Sequence, residues 1–283
     1  MRHHARLPRP SRVAAHEEKR GPGARRRKPE LGKYLLYVHF AKDTFIRKFL
    51  PPTRRYRHET VRSFLNQYGV VYLKPQGGSR GRGIMKVWRR DGAVYVQHTV
   101  YAPKRFASVD EALTYIDQKR GGQGYVVQRG IALAKVHGRP FDIRVMMQKD
   151  VPGGQWLYAG MVAKVAGKGS AVTNVALSRG AVMRVEEALK QGLGWNAVSI
   201  RRCKNQMIQL AKRAAKHFDT YQPYREIGFD MAVDTNGRIW LLEENTAPSH
   251  PLFAKLKADL SMYRRIQFRW GRYQRALRAK RSG

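Results

Sequence analysis

Apolar positions along the chain switch between a helical and a strand period, and the switches mark its elements. Val61, Phe64, Leu65 and Tyr68 recur at the three-and-four spacing of one helical face, and Gly69 behind them predicts the residue that ends a helix. A strand from Val70 follows directly. The Asp91-Gly92 pair predicts a turn, with an antiparallel strand over 93–100 after it. Ser108-Val-Asp-Glu111 is a capping box that opens a helix with Val109, Leu113 and Ile116 on one face. Strands are expected near 125–131, 141–149 and 156–165, then a long basic helix near 198–218. Phe253, Leu256, Leu260, Tyr263, Ile266, Trp270, Tyr273 and Leu277 predict an amphipathic helical stripe docked on the body, bounded as a basic C-terminal helix over 263–283, with Gly271 as a point of interruption. Arg264, Arg265, Arg269, Arg272, Arg275 and Arg278 mostly line its outer side, a solvated face that would also suit nucleic acid. The alternation of helices and strands predicts an α+β fold, without internal repeats.

The segment from Phe229 to Pro248 carries the sharpest chemical signal. Asn236-Gly237 is a two-residue turn signal that pairs Thr235 with Arg238 and, further out, Asp230 with Glu243. Strand alternation then sets Glu243 and Asn245 on the Asp230 face and Glu244 on the other. Two carboxylates about 5 Å apart repel by about 3 kcal/mol at an effective dielectric near 20. A cation must relieve that. Mg²⁺ suits one or two carboxylates completed by waters and substrate phosphates; a basic side chain is the plainer source. A three-residue loop would instead slip the register and bring Glu244 to the Asp230 face.

Phosphates held by Mg²⁺ imply a nucleotide, so a phosphate cradle is expected upstream. Val70 to Gly83, followed by Ile84 to Trp88, reads as strand, glycine loop, strand. Gly77, Gly78, Gly81 and Gly83 free the backbone to offer N–H groups to phosphate oxygens, and Lys74 adds a charge at the strand end. The loop lacks the Lys-Ser/Thr of a Walker A loop and opens no helix as a dinucleotide fingerprint does. An ordinary flexible hairpin is the competing reading of the loop alone.

Leu73-Lys74-Pro75 with this loop, Tyr125 to Ile131, Phe141-Asp-Ile-Arg-Val145 and the Asp230 to Asn245 hairpin, in that order, resemble an ATP-grasp protein. The likeness is to the YheC/YheD type, described as endospore coat-associated, over about residues 40–260; the hairpin spacing also resembles that of D-alanine-D-alanine ligases. The resemblance implies two sheet-and-helix lobes clasping a nucleotide within residues 30–262, the small lobe at about 70–129. It implies ATP and Mg²⁺ as cofactors. Lys74 would contact ATP phosphates under the loop from Gly77 through Ser79 to Gly83, and the backbone of Gln128, Arg129, Gly130 and Ile131 would meet adenine. Arg144 matches an arginine reaching the phosphates, Asn174 a site-lining asparagine, and Asp230, Glu243 and Asn245 the Mg²⁺ ligands. Lys164 stands where related sequences commonly carry arginine, which keeps the charge but loses the bidentate fork. Taken alone, Arg144 shares a strand face with Asp142 and pairing with it is the favoured reading, and Asn174 reads equally as an ordinary turn residue. The implied activity is carboxylate–amine ligation through an acyl phosphate, with both substrates open and a spore-coat role. Related longer chains carry a further N-terminal domain where this chain has a basic arm.

Composition bounds the rest. The chain has 283 residues and one cysteine, Cys203, so no internal disulfide forms, and the apolar stripe Ile200, Cys203, Met207, Leu210 predicts a packing role for the thiol. No apolar run spans a bilayer and the N-terminus lacks an apolar h-region, so a soluble, cytoplasmic protein is expected, spore-associated by resemblance. The formal charge is +36. Residues 1–29, a basic arm with the composition of a disordered segment, carry +8, and residues 262–283 carry another +8. Such a field attracts an acidic polymer, an acidic coat protein or nucleic acid without choosing among them. A rival expectation follows from it: a non-enzymatic basic structural or nucleic-acid-binding protein on an ATP-grasp scaffold.

Overall fold

The structure is a computed structural model, and the residues it describes are 31–78, 81–170, 173 and 175–282. The basic arm therefore lies outside the described residues, as do Ser79 and Asn174.

Two six-stranded antiparallel arrangements dominate. The first contains β1 (Thr53–Arg55), β2 (Val70–Pro75), β3 (Met85–Arg90), β4 (Ala93–His98), β5 (Lys104–Phe106) and β6 (Tyr125–Arg129), in spatial order β1-β6-β2-β3-β4-β5. The second contains β7 (Lys135–Val136), β8 (Arg139–Gln148), β9 (Leu157–Val165), β10 (Ala181–Met183), β11 (Glu226–Val233) and β12 (Ile239–Asn245). Its order is β10-β9-β8-β11-β12, with β7 paired to β8. The helices are α1 (Lys33–Ala41), α2 (Thr44–Arg47), α3 (His58–Tyr68), α4 (Val109–Arg120), α5 (Val175–Ser178), α6 (Val185–Leu193), α7 (Ala197–Phe218), α8 (Pro251–Ala254) and α9 (Ser261–Ser282).

Each sheet buries one face by strand alternation. Val71, Leu73, Val87, Val94, Val96 and Val127 of the first sheet pack against Val61, Leu65, Leu113 and Ile116 of α3 and α4. Gly69 ends α3 at φ 71°, and Ser108 caps α4 by accepting the Glu111 N–H. The capping box is modified: the Glu111 carboxylate accepts the Ala107 N–H instead of that of Ser108. Phe141, Ile143, Val145, Phe229, Met231 and Val233 turn the back of the second sheet to α7. Cys203 is buried there, and burial pushes its thiol up to about 12, so the stripe is a packing stripe. Helices α1 and α2 join this second core through Leu36, Phe40 and Ile46 although they precede the first sheet in the chain.

The C-terminal region departs from the periodic expectation. A single helix from Phe253 is replaced by two, because Asp259 accepts the Ser261 N–H at 2.9 Å and starts α9 afresh. Gly271 does not interrupt α9. Ile266, Phe253 and Leu256 cover Met146 and Val162 on the front of the second sheet, as the docking expectation required. Arg269 is half-buried, donating to the Tyr158 carbonyl at 2.6 Å, while Phe268 is 61% exposed among the arginines. No helix among the described residues is long and apolar enough to cross a membrane.

Candidate functional site

Asp230 and Glu243 are cross-strand partners, but two departures cancel to bring them together. The loop has three residues, with the Asp234 N–H on the Arg238 carbonyl at 2.9 Å, so Thr235 does not pair with Arg238. The Asp234 carboxylate dictates this by accepting the N–H groups of Asn236 and Arg238, each at 2.9 Å, and the Trp240 indole at 2.8 Å. Val233–Ile239, Ala232–Trp240 and Met231–Leu241 follow that slipped register. A bulge between Asp230 and Met231 skips Leu242 and restores Asp230 opposite Glu243 and Gly228 opposite Asn245. Glu243 and Asn245 thus share the front face with Asp230, and Asn245 Nδ2 lies 3.5 Å from Asp230 Oδ2.

Basic side chains meet these carboxylates. Arg144, on β8 directly opposite Asp230, grips it with two hydrogen bonds of 2.6 and 3.0 Å, so it pairs with Asp230 and not with Asp142. Lys164, opposite Asp142 on β9, stands 3.0 Å from both Asp142 and Asp230. Burial pushes the Asp230 carboxyl up, yet Arg144 and then Lys164 override it and hold the group well below the usual carboxylate range. Asp142 goes the other way: burial dominates, only partly offset by Lys164, and raises it to about 6. Thr173 donates to Asp142. Gly228 makes room for the arginine, since a Cβ there would lie 2.9 Å from Arg144 Cδ and from Pro248 Cβ. Gly228→Ala is therefore expected to lose about 1–3 kcal/mol, read as a lower urea midpoint at unchanged slope; an unchanged midpoint would mean that Arg144 moves freely.

The first sheet brings its charges to the same place. Lys74 is the last residue but one of β2, beside the glycine loop; burial lowers its pKa most, opposed first by the charge of Glu243. Gly78, Gly81 and Gly83 adopt positive φ, so the loop makes bends that side-chain-bearing residues resist, while Gly77 does not. Lys33 carries no sequence signal, yet it connects the loop to the hairpin. Its Nζ lies 3.0 Å from Glu243 and donates to the Gly78 carbonyl at 3.1 Å, while its backbone N–H donates to the Gln76 carbonyl.

The strand expected to face adenine is largely committed to the sheet. Gln128 pairs with Thr53 and Tyr72, Arg129 N–H donates to the Pro52 carbonyl, and Gly130 N–H donates to the Val70 carbonyl at 2.8 Å. A Cβ at Gly130 would strike Val70 Cγ1 at 2.6 Å, which explains the glycine. Ile131 is the first residue of this run whose N–H has no backbone partner among the described residues. Arg129 reaches over to the hairpin, 5.4 Å from the Trp240 ring.

Lys33, Lys74, Arg144 and Lys164 face Asp142, Asp230 and Glu243, leaving the cluster one positive charge in excess. Among the described residues no three His, Cys, Asp or Glu side chains converge as a metal cage. The Asp230, Glu243 and Asn245 oxygens are hard donors that fit Mg²⁺ as a partial shell, one completed by phosphate. A divalent ion arriving alone meets a cationic cluster; one arriving on a triphosphate brings net negative charge to it.

Over residues 27–277 the chain matches the family described as YheC/D like ATP-grasp. The chain belongs to the YheC/D-like ATP-grasp family. It is 27% identical over 249 residues to the endospore coat-associated protein YheD of Bacillus subtilis (strain 168), covering 85% of this chain and 54% of that one. Against YheC of the same strain it is 24% identical over 232 residues, covering 80% of this chain and 62% of YheC. This ATP-grasp chain thus spans roughly half to three-fifths of those relatives' lengths. The solved D-cycloserine synthetase DcsG aligns with a TM-score of 0.51 at 12% identity, over 84% of this chain and 68% of that one. The fold is the α+β ATP-grasp fold.

Proposed function

We propose that this ATP-grasp chain binds ATP with Mg²⁺ and ligates a carboxylate to an amine through an acyl phosphate. The observation that carries the reading is the convergence of Asp230, Glu243 and Asn245 with Lys74, Lys33 and the glycine loop, supported by family membership. Asp230, Glu243 and Asn245 would hold the ion, which when bound neutralises phosphate oxygens and fixes them against the hairpin. Ile131 N–H would donate to adenine, and Lys74, Lys33 and Arg144 would take the phosphates; the unpaired Ile131 N–H and the meeting of Lys33 with the glycine loop and Glu243 support this. A substrate carboxylate oxygen attacks the γ-phosphorus and the bond to ADP breaks, while Lys74 and Arg144 stabilise the charge on the transferring group. An amine then attacks the acyl carbon, the carbon–oxygen bond to phosphate breaks, and the amine gives up a proton. No protein nucleophile is required. Gly77 belongs to the loop that would cover the phosphates, and the family resemblance would add Ser79 and Asn174, which lie outside the described residues. The relatives' description as endospore coat-associated supports a spore-coat role. The test is a melting curve with Mg-ATP: wild type is expected to gain about 2–3 kcal/mol at a hundredfold excess over Kd, and Glu243→Ala to gain none. No gain in wild type at low salt removes the reading.

One observation favours a second, non-enzymatic activity. Helices α7 and α9, on opposite faces of the second sheet, contain no acidic residue. Arg264, Arg265, Arg272 and Arg275 are exposed around Phe268. Binding of single-stranded DNA that falls steeply with salt, and is unchanged in Glu243→Ala, is the expected result if this face recruits polyanions. Salt-independent binding, or none, rejects it.

A further inference from the structure

The strand that carries Asp230 bears a second polar cluster on the same face. Alternation along β11 sets Glu226, Gly228 and Asp230 in line, opposite Gln148, Met146 and Arg144 of β8. The Glu226 carboxylate accepts from His250 Nε2 at 2.8 Å and from Gln148 Nε2 at 3.1 Å, and the Gln148 amide also donates to the Ile266 carbonyl of α9 at 3.3 Å. The His250 and Glu226 side chains are only 14% and 6% exposed, so water competes little for their hydrogen bond. Gln267 Nε2 stands 3.3 Å from His250 Nδ1, and the Trp270 ring meets the imidazole at 82°. The imidazole is thus held from β11 on one side and from α9 on the other.

The contact of α8 and α9 with the sheet is otherwise apolar, through Met146, Val162, Phe253, Leu256 and Ile266. A buried polar pair in such a place seldom stabilises more than apolar residues of the same volume, because both groups lose their water. What it adds is direction. His250 closes the connection that leaves β12, since the strand ends at Asn245 and α8 starts at Pro251. Residues 246–249 make no backbone hydrogen bond among the described residues. Side chains hold the connection instead: Pro248 lies against Gly228, where an added Cβ would stand 2.9 Å from Pro248 Cβ, and His250 binds Glu226. Both holds are on the strand of Asp230. The Asn245 amide itself is loosely placed, with Nδ2 at 3.5 Å from the Gly228 carbonyl and at 3.5 Å from Asp230 Oδ2, the outer limit of a hydrogen bond.

We propose that His250 is a positioning residue for Asn245: its hydrogen bond to Glu226 fixes the connection behind β12 and so sets the amide where a divalent ion borne by the nucleotide meets it. A ligand with weak contacts of its own takes its orientation from the groups behind it, and removing such a group lowers affinity for the ion without touching the ion. The inference rests on the Mg-ATP reading for the ion, but not for the placement of the amide.

Two measurements on the full chain test it. In the metal-free protein, the side-chain amide resonance of Asn245, assigned by its disappearance in Asn245→Ala, is expected to shift in His250→Ala and to return in His250→Gln, whose amide N–H can reach Glu226. Should the alanine variant fail to fold, His250→Asn, too short to reach Glu226, takes its place. Titration with Mn²⁺ in the presence of a non-hydrolysable ATP analogue is expected to show affinity for the ion about tenfold weaker in His250→Ala, and no further loss when that change is added to Asn245→Ala. An Asn245 amide unmoved in both short variants overturns the proposal. So does an added loss in the Asn245→Ala background, which would make His250 a general support of the fold. A wild type that takes up no Mn²⁺ with the analogue defeats the Mg-ATP reading alone, because the amide spectrum still decides the positioning.

Discussion

Replacing Asp230 with alanine should lower the melting temperature by on the order of 10 °C. The carboxylate holds Arg144 at 2.6 and 3.0 Å and Lys164 at 3.0 Å, and all three side chains are buried. Removing it strands two buried cations that keep only the charges of Asp142 and, for Arg144, of Glu243, a loss of roughly 3–5 kcal/mol for a broken buried pair. For a domain of this size each kcal/mol shifts melting by about 2–4 °C. Glu243→Ala is the contrast: its side chain is 31% exposed and pairs with Lys33, so its effect on stability should stay within about 1 kcal/mol. The pH dependence follows from the two opposite shifts. Asp230 is held low, so its contribution is present above the ordinary carboxylate range and fades as pH falls through its folded value. Asp142 is raised to about 6, so its ionised form opposes folding above that pH and the opposition disappears on acidification toward its ordinary value. The gap between wild type and Asp230→Ala should therefore narrow in acid. A melting temperature within about 2 °C of wild type for Asp230→Ala would show that the cluster adds nothing to the fold.

Lys74→Ala should reduce nucleotide turnover by roughly 10²–10³-fold while leaving the fold intact. Its ammonium stands at the end of β2 beside the glycine loop, with burial working against its charge and Glu243 supporting it. A charge held in a partly desolvated position stabilises the transferring phosphoryl group more than a solvated one does. Glu243 keeps Lys33 at 3.0 Å when Lys74 is lost, so no carboxylate is orphaned. ATP hydrolysis against a panel of carboxylates and amines is the assay, with melting curves as the control for folding. Wild-type turnover in Lys74→Ala would mean that the lysine does not touch the reacting phosphate.

Local chemistry was legible wherever one residue decides a conformation. Gly69 ends α3, the Ser108 hydroxyl caps α4, and Asp91-Gly92 turns β3 into β4, each as its residue type requires. The facing of Asp230 and Glu243 was legible for an incomplete reason. The turn rule counts residues, whereas the Asp234 carboxylate builds a longer loop and the bulge at Leu242 takes up the extra residue. Lys33 was not legible, because its partners Gly78 and Glu243 are distant in sequence and meet only when α1 docks beside the loop. The choice of Asp230 over Asp142 by Arg144 was hidden for the same reason: alternation assigns a face, while the neighbouring strand supplies the partner. The break between α8 and α9 escaped because apolar spacing continues across it, and only the Asp259 cap marks the restart.

Divalent-ion binding followed by electron paramagnetic resonance of Mn²⁺, with and without a non-hydrolysable ATP analogue, tests the central claim most directly. The excess positive charge around Asp230 and Glu243 predicts negligible uptake of the ion alone and one ion per protein with the analogue, lost in Glu243→Ala. Tight uptake without nucleotide, or uptake with nucleotide that survives Glu243→Ala, would contradict it.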